Sequence, residues 1–528
     1  MTIRISQLKL PLDYEKKPLV FYAARALKMS AADIISVRLR KKSVDARDKG
    51  HVHFSVTLDA EVRSRPRALP NGCAQVEKSA PRVLPAPRKL EYRPVVVGLG
   101  PAGLFAALTL AKMGLNPIAL ERGRPVDERA RDVENFWRTG VMNPASNVQF
   151  GEGGAGAFSD GKLNTGIKDP RCREVLEELY RAGAPEEILY SAKPHIGTDR
   201  LRGVVKNIRS EIISLGGEVR FGTFLKRIII ENGMVAGAVA ACETGDYQID
   251  TRDIILAVGH SARDTFEMLY ESGVTMTQKP FSIGARIEHS QSMIDASQYG
   301  AAAGHPALGA ADYKLSERMK DGRGVYTFCM CPGGQVVAAA SEEGRVVTNG
   351  MSLYARDGEN ANSAVLVSVG PGDFGSDHPL AGVYFQRRWE EAAFIAGGGD
   401  YRAPAQLVGD FLKKQPSKSA GDVNPTYLPG VKWTEMDNCL PDFATDALRR
   451  ALPVFDRRIK GFARAGAVFT GVETRSSSPV RIERDGTCQA SARGLYPCGE
   501  GAGYAGGILS AAVDGMRCAE ALAVFAGD

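Results

Sequence analysis

The chain has no long apolar run: nowhere does it approach the ~18–20 apolar residues a helix needs to cross a bilayer. That sets aside a helical membrane protein. The opening MTIRISQLKLPLDYEKK lacks the apolar core and small-residue cleavage site of a secretory signal, which points to the cytoplasm. Cysteine is sparse: nine residues, an odd number, scattered over 528 in no dense framework. A disulfide-stapled scaffold is excluded and a reducing compartment fits. No metal site is assigned.

What is present is ordinary for a globular protein, with 44% hydrophobic and 24% charged residues. The length predicts two or three domains and room to bury a large cofactor. Charge is uneven: residues 1–93 hold 20 Lys and Arg against 9 Asp and Glu, leaving a slightly acidic remainder. Such a basic appendage is either a solvated face or a dock for a polyanion, which makes nucleic acid the partner of an alternative reading.

Along the chain, residues 1–63 read as strand, helix, strand, strand, with Val52, Phe54, Val56 and Leu58 alternating on one face. This is a small basic α+β module. Residues 64–92, rich in Pro, Arg and Ala without periodicity, read as a linker. From Arg93 the pattern becomes strand (94–99), glycine turn, helix (101–114), strand (116–121), a βαβ opening. The stretch 269–487 is rich in short strand-like runs and Gly/Pro turns, and the chain ends in strand, glycine-rich loop and helix. The expected architecture is α/β: a Rossmann-type domain from 93–268 and 488–528, interrupted by a mixed, β-rich substrate domain at 269–487.

Gly98, Gly100 and Gly103 follow the apolar strand VVV at dinucleotide-binding spacing, with Pro101 and Ala102 opening the helix. In such turns the first glycine makes the tight bend, the second lets a pyrophosphate reach the backbone, and the third lets helix pack on strand. The helix start offers N–H groups and positive dipole to phosphate. Glu121 ends the next strand, where a carboxylate can take ribose hydroxyls, and Arg122 follows it. Two later segments select a flavin dinucleotide. IILAVGH (254–260) returns to the sheet and ends in Gly259, while LYPCGEGAGYAGGILSAAVDGM (495–516) sets Gly499 and Glu500 after a strand and aims Gly506, Gly507 and Ile508 at the cleft.

These motifs, with NVQFGEGGAGAFSDGKLNTG (147–166), AVGHSARDTFEML (257–269), KPFSIGARIEHSQSMIDASQYG (279–300), TFCMCPGGQVV (327–337) and VETRSSSPVRI (472–482), carry a resemblance over nearly the whole chain. The sequence resembles a family of bacterial FAD-dependent dehydrogenases within the glutathione-reductase-like flavoprotein superfamily. The resemblance implies an FAD oxidoreductase and supplies no substrate.

The glycine-rich loop holding Gly153, Gly154, Ser159, Lys162 and Asn164 is placed to reach cofactor oxygens; a merely flexible loop is the simpler account. A helix start at GGILSA would stabilise negative charge on a reduced flavin. Cys329 and Cys331 flank Met330, so in a strand both thiols project from one face, either as buried small apolar groups or as a dithiol relay whose bridge would be strained. His260 ends the returning strand and acts either as an acid or base near its usual pKa of ~6.5 or as a loop cap. Arg286, Arg475 and Arg481 would favour an anionic substrate if they converge on the flavin, and are structural ion pairs otherwise. No second glycine fingerprint follows a strand, so electrons would come from the substrate, a passing NAD(P)H or an electron-donor protein. Two-electron dehydrogenation or reduction of a small molecule is the leading expectation, with a flavin monooxygenase or oxidase as its rival.

Overall fold

The computed structural model describes residues 1–64, 68–77 and 82–525. Five short parallel strands form its centre, in the order Leu495–Pro497, Ile254–Leu256, Val95–Val97, Ile118–Leu120, Glu218–Arg220. The first four are wholly buried, and VVV, IAL and IIL read as unbroken apolar triplets because both sheet faces are covered, one by helices and the other by the antiparallel strands 224–249 with the helix Arg263–Glu271. This is the Rossmann-type layer. A three-stranded antiparallel meander, Phe224–Ile249, follows the fifth strand.

The fingerprint helix Pro101–Lys112 is buried on nearly every side. Its sequence PAGLFAALTLAK has no polar stripe, as expected of a helix enclosed by a sheet and by the helices Thr198–Ser214 and Ile508–Val524. The carboxyl-terminal helix crosses it at backbone contact: a Cβ on Gly515 would lie 2.0 Å from the Ala102 carbonyl oxygen. Residues 400 positions apart therefore share one end of the sheet.

The inserted region builds a seven-stranded sheet ordered 316–318, 324–331, 360–369, 281–290, 468–473, 403–407, 431–433. All its pairings are antiparallel except the last. The helices Ala381–Gly397 and Asp442–Arg458 bury apolar faces against it, in a core including Ile283, Val365, Leu448 and Phe469.

The amino-terminal module is a four-stranded sheet with one helix, Leu19–Leu27. In His53–Val62 every second residue is buried, the period-2 pattern of a half-covered strand. The stretch read as a linker behaves differently from expectation. Cys73–Val76 is a strand that pairs with Thr2–Ile5, completing the edge of the module's sheet. Its 65–67 and 78–81 lie outside the described residues. Further on, Arg82 and Arg88 tie the segment to the Rossmann layer through Glu174, Glu520 and Asp253. Among the described residues no helix is long and apolar enough to cross a membrane.

Gly515→Ala should force the two helices apart at a cost of about 1–3 kcal/mol, the usual penalty for overpacking. Gly372→Ala, with open space around its Cβ, should leave stability unchanged. Denaturant midpoints of the two variants against the parent check this.

Candidate functional site

A cleft of about 360 Å³ lies at the carboxyl ends of the parallel strands, with the seven-stranded sheet as its far wall. Open α/β sheets place their ligands in this position. Two helices start at the cleft, capped by Gly100 and Gly507, and neither has a side chain satisfying its first-turn N–H groups. Pro101, Ala102 and Ile508 line the cleft beside them.

The glycines separate into two sets. Gly98 and Gly103 serve the protein's own packing: a Cβ would meet the Ala257 carbonyl oxygen at 2.5 Å and the Gly98 carbonyl oxygen at 1.7 Å. Gly153 packs on Ala157 and Val205, and Gly499 on Ala102; neither lines the cleft. Gly103 thus has the packing role its place in the fingerprint implies, while Gly153 and Gly499, expected beside the cofactor, make room for neighbouring side chains. The second set is different. Around Gly259, Gly506 and Gly507 a Cβ meets nothing within 4 Å, and at Gly100 it meets only the Gly154 Cα at 3.7 Å. All four of these glycines line the cleft. Their missing side chains leave room for a ligand to touch backbone N–H groups, which is what the pyrophosphate and ring of a flavin dinucleotide require.

Glu121 is buried, and both its oxygens serve the chain. Oε2 accepts from the Leu99 N–H (2.8 Å), and Oε1 accepts from those of Gly123 (2.9 Å) and Gly151 (3.0 Å). It braces the turn, and Oε2, with one donor, retains acceptor capacity toward a ribose hydroxyl. Arg122 sits 4.6 Å from the Phe150 ring centre and 5.4 Å from that of Phe224, paired with Asp264.

The loop 147–166 is not loose. Arg129, fully buried, donates to the carbonyl oxygens of Asn147, Val148, Gly151, Glu152 and Gly154 and fixes the loop under the cleft. Burial lowers its guanidinium to about 10. Ser159 donates to the Gly156 carbonyl and accepts from the Gly161 N–H, while Lys162 and Asn164 line the cleft beyond it.

Of the proposed reactive groups, His260, Cys329 and Arg475 line the cleft, whereas Arg286 and Cys331 lie behind its wall. His260 cannot supply an acid near neutral pH. Burial, then the neighbouring Arg475, Arg263 and Lys279 charges, lower its imidazole to about 3. Nε2 faces the Arg475 carbonyl oxygen at 3.1 Å and so carries the proton, leaving Nδ1 as an acceptor. Arg475 is committed to Glu390, Ser261 and Ser341, in a buried network with Arg263. Arg286 spends its donors on Glu473, Asn349, Asn362 and the Cys329 carbonyl oxygen. Arg481 bonds the Gly503 carbonyl and lies over Tyr504, outside the cleft lining. Arg286 and Arg475 are thus braces, already matched by internal acceptors, and Arg481, with one such bond, lies off the cleft.

Cys329 and Cys331 do not stand in a regular strand. Phe328 pairs with Ala364 and Cys331 with Asn362, so Cys329 and Met330 together oppose Ser363 in a β-bulge. Cys329 takes the left-handed conformation (φ 43°) there. The thiols therefore occupy unlike environments: Cys331 is fully buried, and Cys329 faces the cleft.

The sequence reading missed Glu473, which lines the cleft beside Cys329. Burial raises its carboxyl to about 7 despite Arg286. Desolvation likewise raises Glu500 to about 7 against the pull of Lys279. Arg129 was missed too. Its signal was visible: it occupies the buried stripe Val126, Ala130, Val133, Trp137 of its helix, where a charge needs a partner.

Residues 280–476 match a family model described as FAD-dependent protein, C-terminal domain-like, and residues 2–61 match a domain of unknown function, DUF8436. A protein of Clostridium beijerinckii, described as an uncharacterized protein, is 50% identical over 529 residues and is matched over 98% of both chains. The chain belongs to that protein's family. A digeranylgeranylglycerophospholipid reductase of Methanocella arvoryzae is 22% identical over 177 residues, 32% of this chain and 40% of the relative. Among solved structures, a flavin-dependent brominase is 14% identical with a TM-score of 0.38, covering 82% of this chain and 78% of the other. That score adds nothing to the architecture described above. The inserted region thus matches a domain of FAD-dependent proteins, and it sits on a Rossmann-type layer.

Because His260 titrates near 3 when folded and near ~6.5 when unfolded, the unfolded chain binds more protons between those values. Stability from this group is intact above pH ~6.5 and falls as pH drops toward 3. His260→Gln should flatten the profile in that window relative to the parent, as read from denaturant midpoints at a series of pH values.

Proposed function

We propose that the protein is an FAD-dependent dehydrogenase or reductase that passes two electrons between bound FAD and a small organic substrate. The observation that carries the reading is the set of glycines with open Cβ space at two uncapped helix starts, in a cleft shared with a second domain. When bound, FAD supplies two-electron chemistry that protein side chains alone do not. The backbone N–H groups of Ala102 and Gly103, in the first turn that Pro101 opens after Gly100, would hold the pyrophosphate, and Glu121 Oε2 would take a ribose hydroxyl. Gly506, Gly507 and Ile508 bring positive helix dipole to the ring end, where it favours developing negative charge.

Glu473 and Glu500 exchange protons near neutral pH, the range in which a general acid or base works best. His260 holds a neutral acceptor at Nδ1. With the arginines engaged, the cation left for an anionic substrate is Lys162, whose neighbour Asp160 is taken by Arg356. A passing NAD(P)H or an electron-donor protein supplies reduction. All nine cysteines are unpaired, in keeping with a cytoplasmic setting.

Gly100→Val should leave a folded protein, since a Cβ there is tolerated, yet cut flavin retention at least tenfold by filling the phosphate seat. Visible absorbance of the purified proteins checks this, with circular dichroism confirming the fold. Anaerobic mixing of the parent with NADH, NADPH and candidate metabolites should bleach the flavin. Rapid oxygen insertion by the reduced protein would instead make it a monooxygenase.

A further inference from the structure

We propose that Cys329 and Cys331 form a redox dithiol in which Cys329 attacks a small disulfide substrate and Cys331 resolves it. This deepens, and rests on, the FAD reading above.

In a flat strand, residues two apart are separated by about 6.6 Å along the chain, at the far edge of the ~4.4–6.8 Å over which disulfides close. The bulge departs from that flat geometry. Left-handed Cys329 kinks the strand, and the Cys331 thiol turns back to donate to the Cys329 carbonyl oxygen at 3.3 Å. Arg286 holds the bulge by donating to that same oxygen (2.8 Å) while anchored on Glu473. A non-glycine residue in this conformation is costly and persists where its surroundings enforce it.

The two sulfurs divide the work by position. Cys329 lines the cleft and is accessible, while Cys331 is fully buried behind it. Interaction with the Cys331 side chain, then the positive charges of Arg286 and Lys162, holds the Cys329 thiol well below its usual range against burial. The Cys331 thiol is raised correspondingly. Nucleophilic cysteines sit in such electropositive, reachable places.

The chemistry balances. Cys329 Sγ attacks one sulfur of R–S–S–R, breaking that bond and releasing one R–S⁻. Cys331 Sγ, losing its proton to solvent, displaces the second R–S⁻ as the Cys329–Cys331 bond forms. Restoring both thiols takes two electrons and two protons, with reduced FAD as the electron source by class. Run backwards, the same steps oxidise a small dithiol.

The test uses the full-length protein with hydroxyethyl disulfide as probe. Cys331→Ser, and Cys331→Ala as a second variant, should trap a mercaptoethanol adduct that peptide mapping places on Cys329. Cys329→Ser should show none at Cys331. Oxidised wild-type protein should then consume twice the reducing equivalents per flavin of Cys329→Ser. Flavin-bound protein that forms no adduct at Cys329, or consumes equal equivalents in both forms, overturns the dithiol alone. Protein that never carries flavin overturns the FAD reading and the coupling with it, whichever way the trapping falls.

Discussion

The architecture depends on one backbone contact, the crossing of the fingerprint helix by the carboxyl-terminal helix at Gly515 and the Ala102 carbonyl. Because no side chain intervenes, the helix starts at Gly100 and Gly507 open onto one cleft. Asp514, next to Gly515, accepts from the Gly499 N–H and pairs with Arg484, so the loop carrying Glu500 is set by the same crossing. Positions far apart in sequence become a single site through this constraint.

Around the cleft, buried charge does the corresponding work. Arg129, Arg286, Arg475 and Arg263 are all internal, and each is matched by carbonyl or carboxylate acceptors. Removing one partner from such a pair leaves an uncompensated buried charge, so these residues hold the cleft's shape at high stakes. They also set the chemistry. Burial, reinforced by nearby cations, keeps His260 neutral, and desolvation leaves Glu473 and Glu500 with proton affinities near neutrality.

The Rossmann layer was legible in the sequence because its signals are local: apolar triplets, glycine spacing and an acid at a strand end. The alternation through Phe54, Val56 and Leu58 was legible for the same reason. What could not be read was pairing across distance. Arg286 and Arg475 look like anion receptors until Glu473 and Glu390, close to them only in the folded chain, are seen to occupy them. Cys329 and Cys331 look like neighbours on a flat strand until the register with Asn360–Val369 slips by one residue. The fingerprint spacing separated the packing glycines Gly98 and Gly103 from Gly100, but outside it Gly153 and Gly499 could not be told from Gly506 and Gly507, because the distinction lies in what each missing Cβ would touch. Cys73–Val76 escaped notice because a short edge strand between prolines has too few residues to show a period.

The central claim is that this cleft holds a complete flavin dinucleotide. Its most direct test is to denature the purified protein and identify and quantify what is released by chromatography. The account predicts FAD, equimolar with the chain; release of no flavin, with FAD failing to bind when supplied to the native protein, would contradict it.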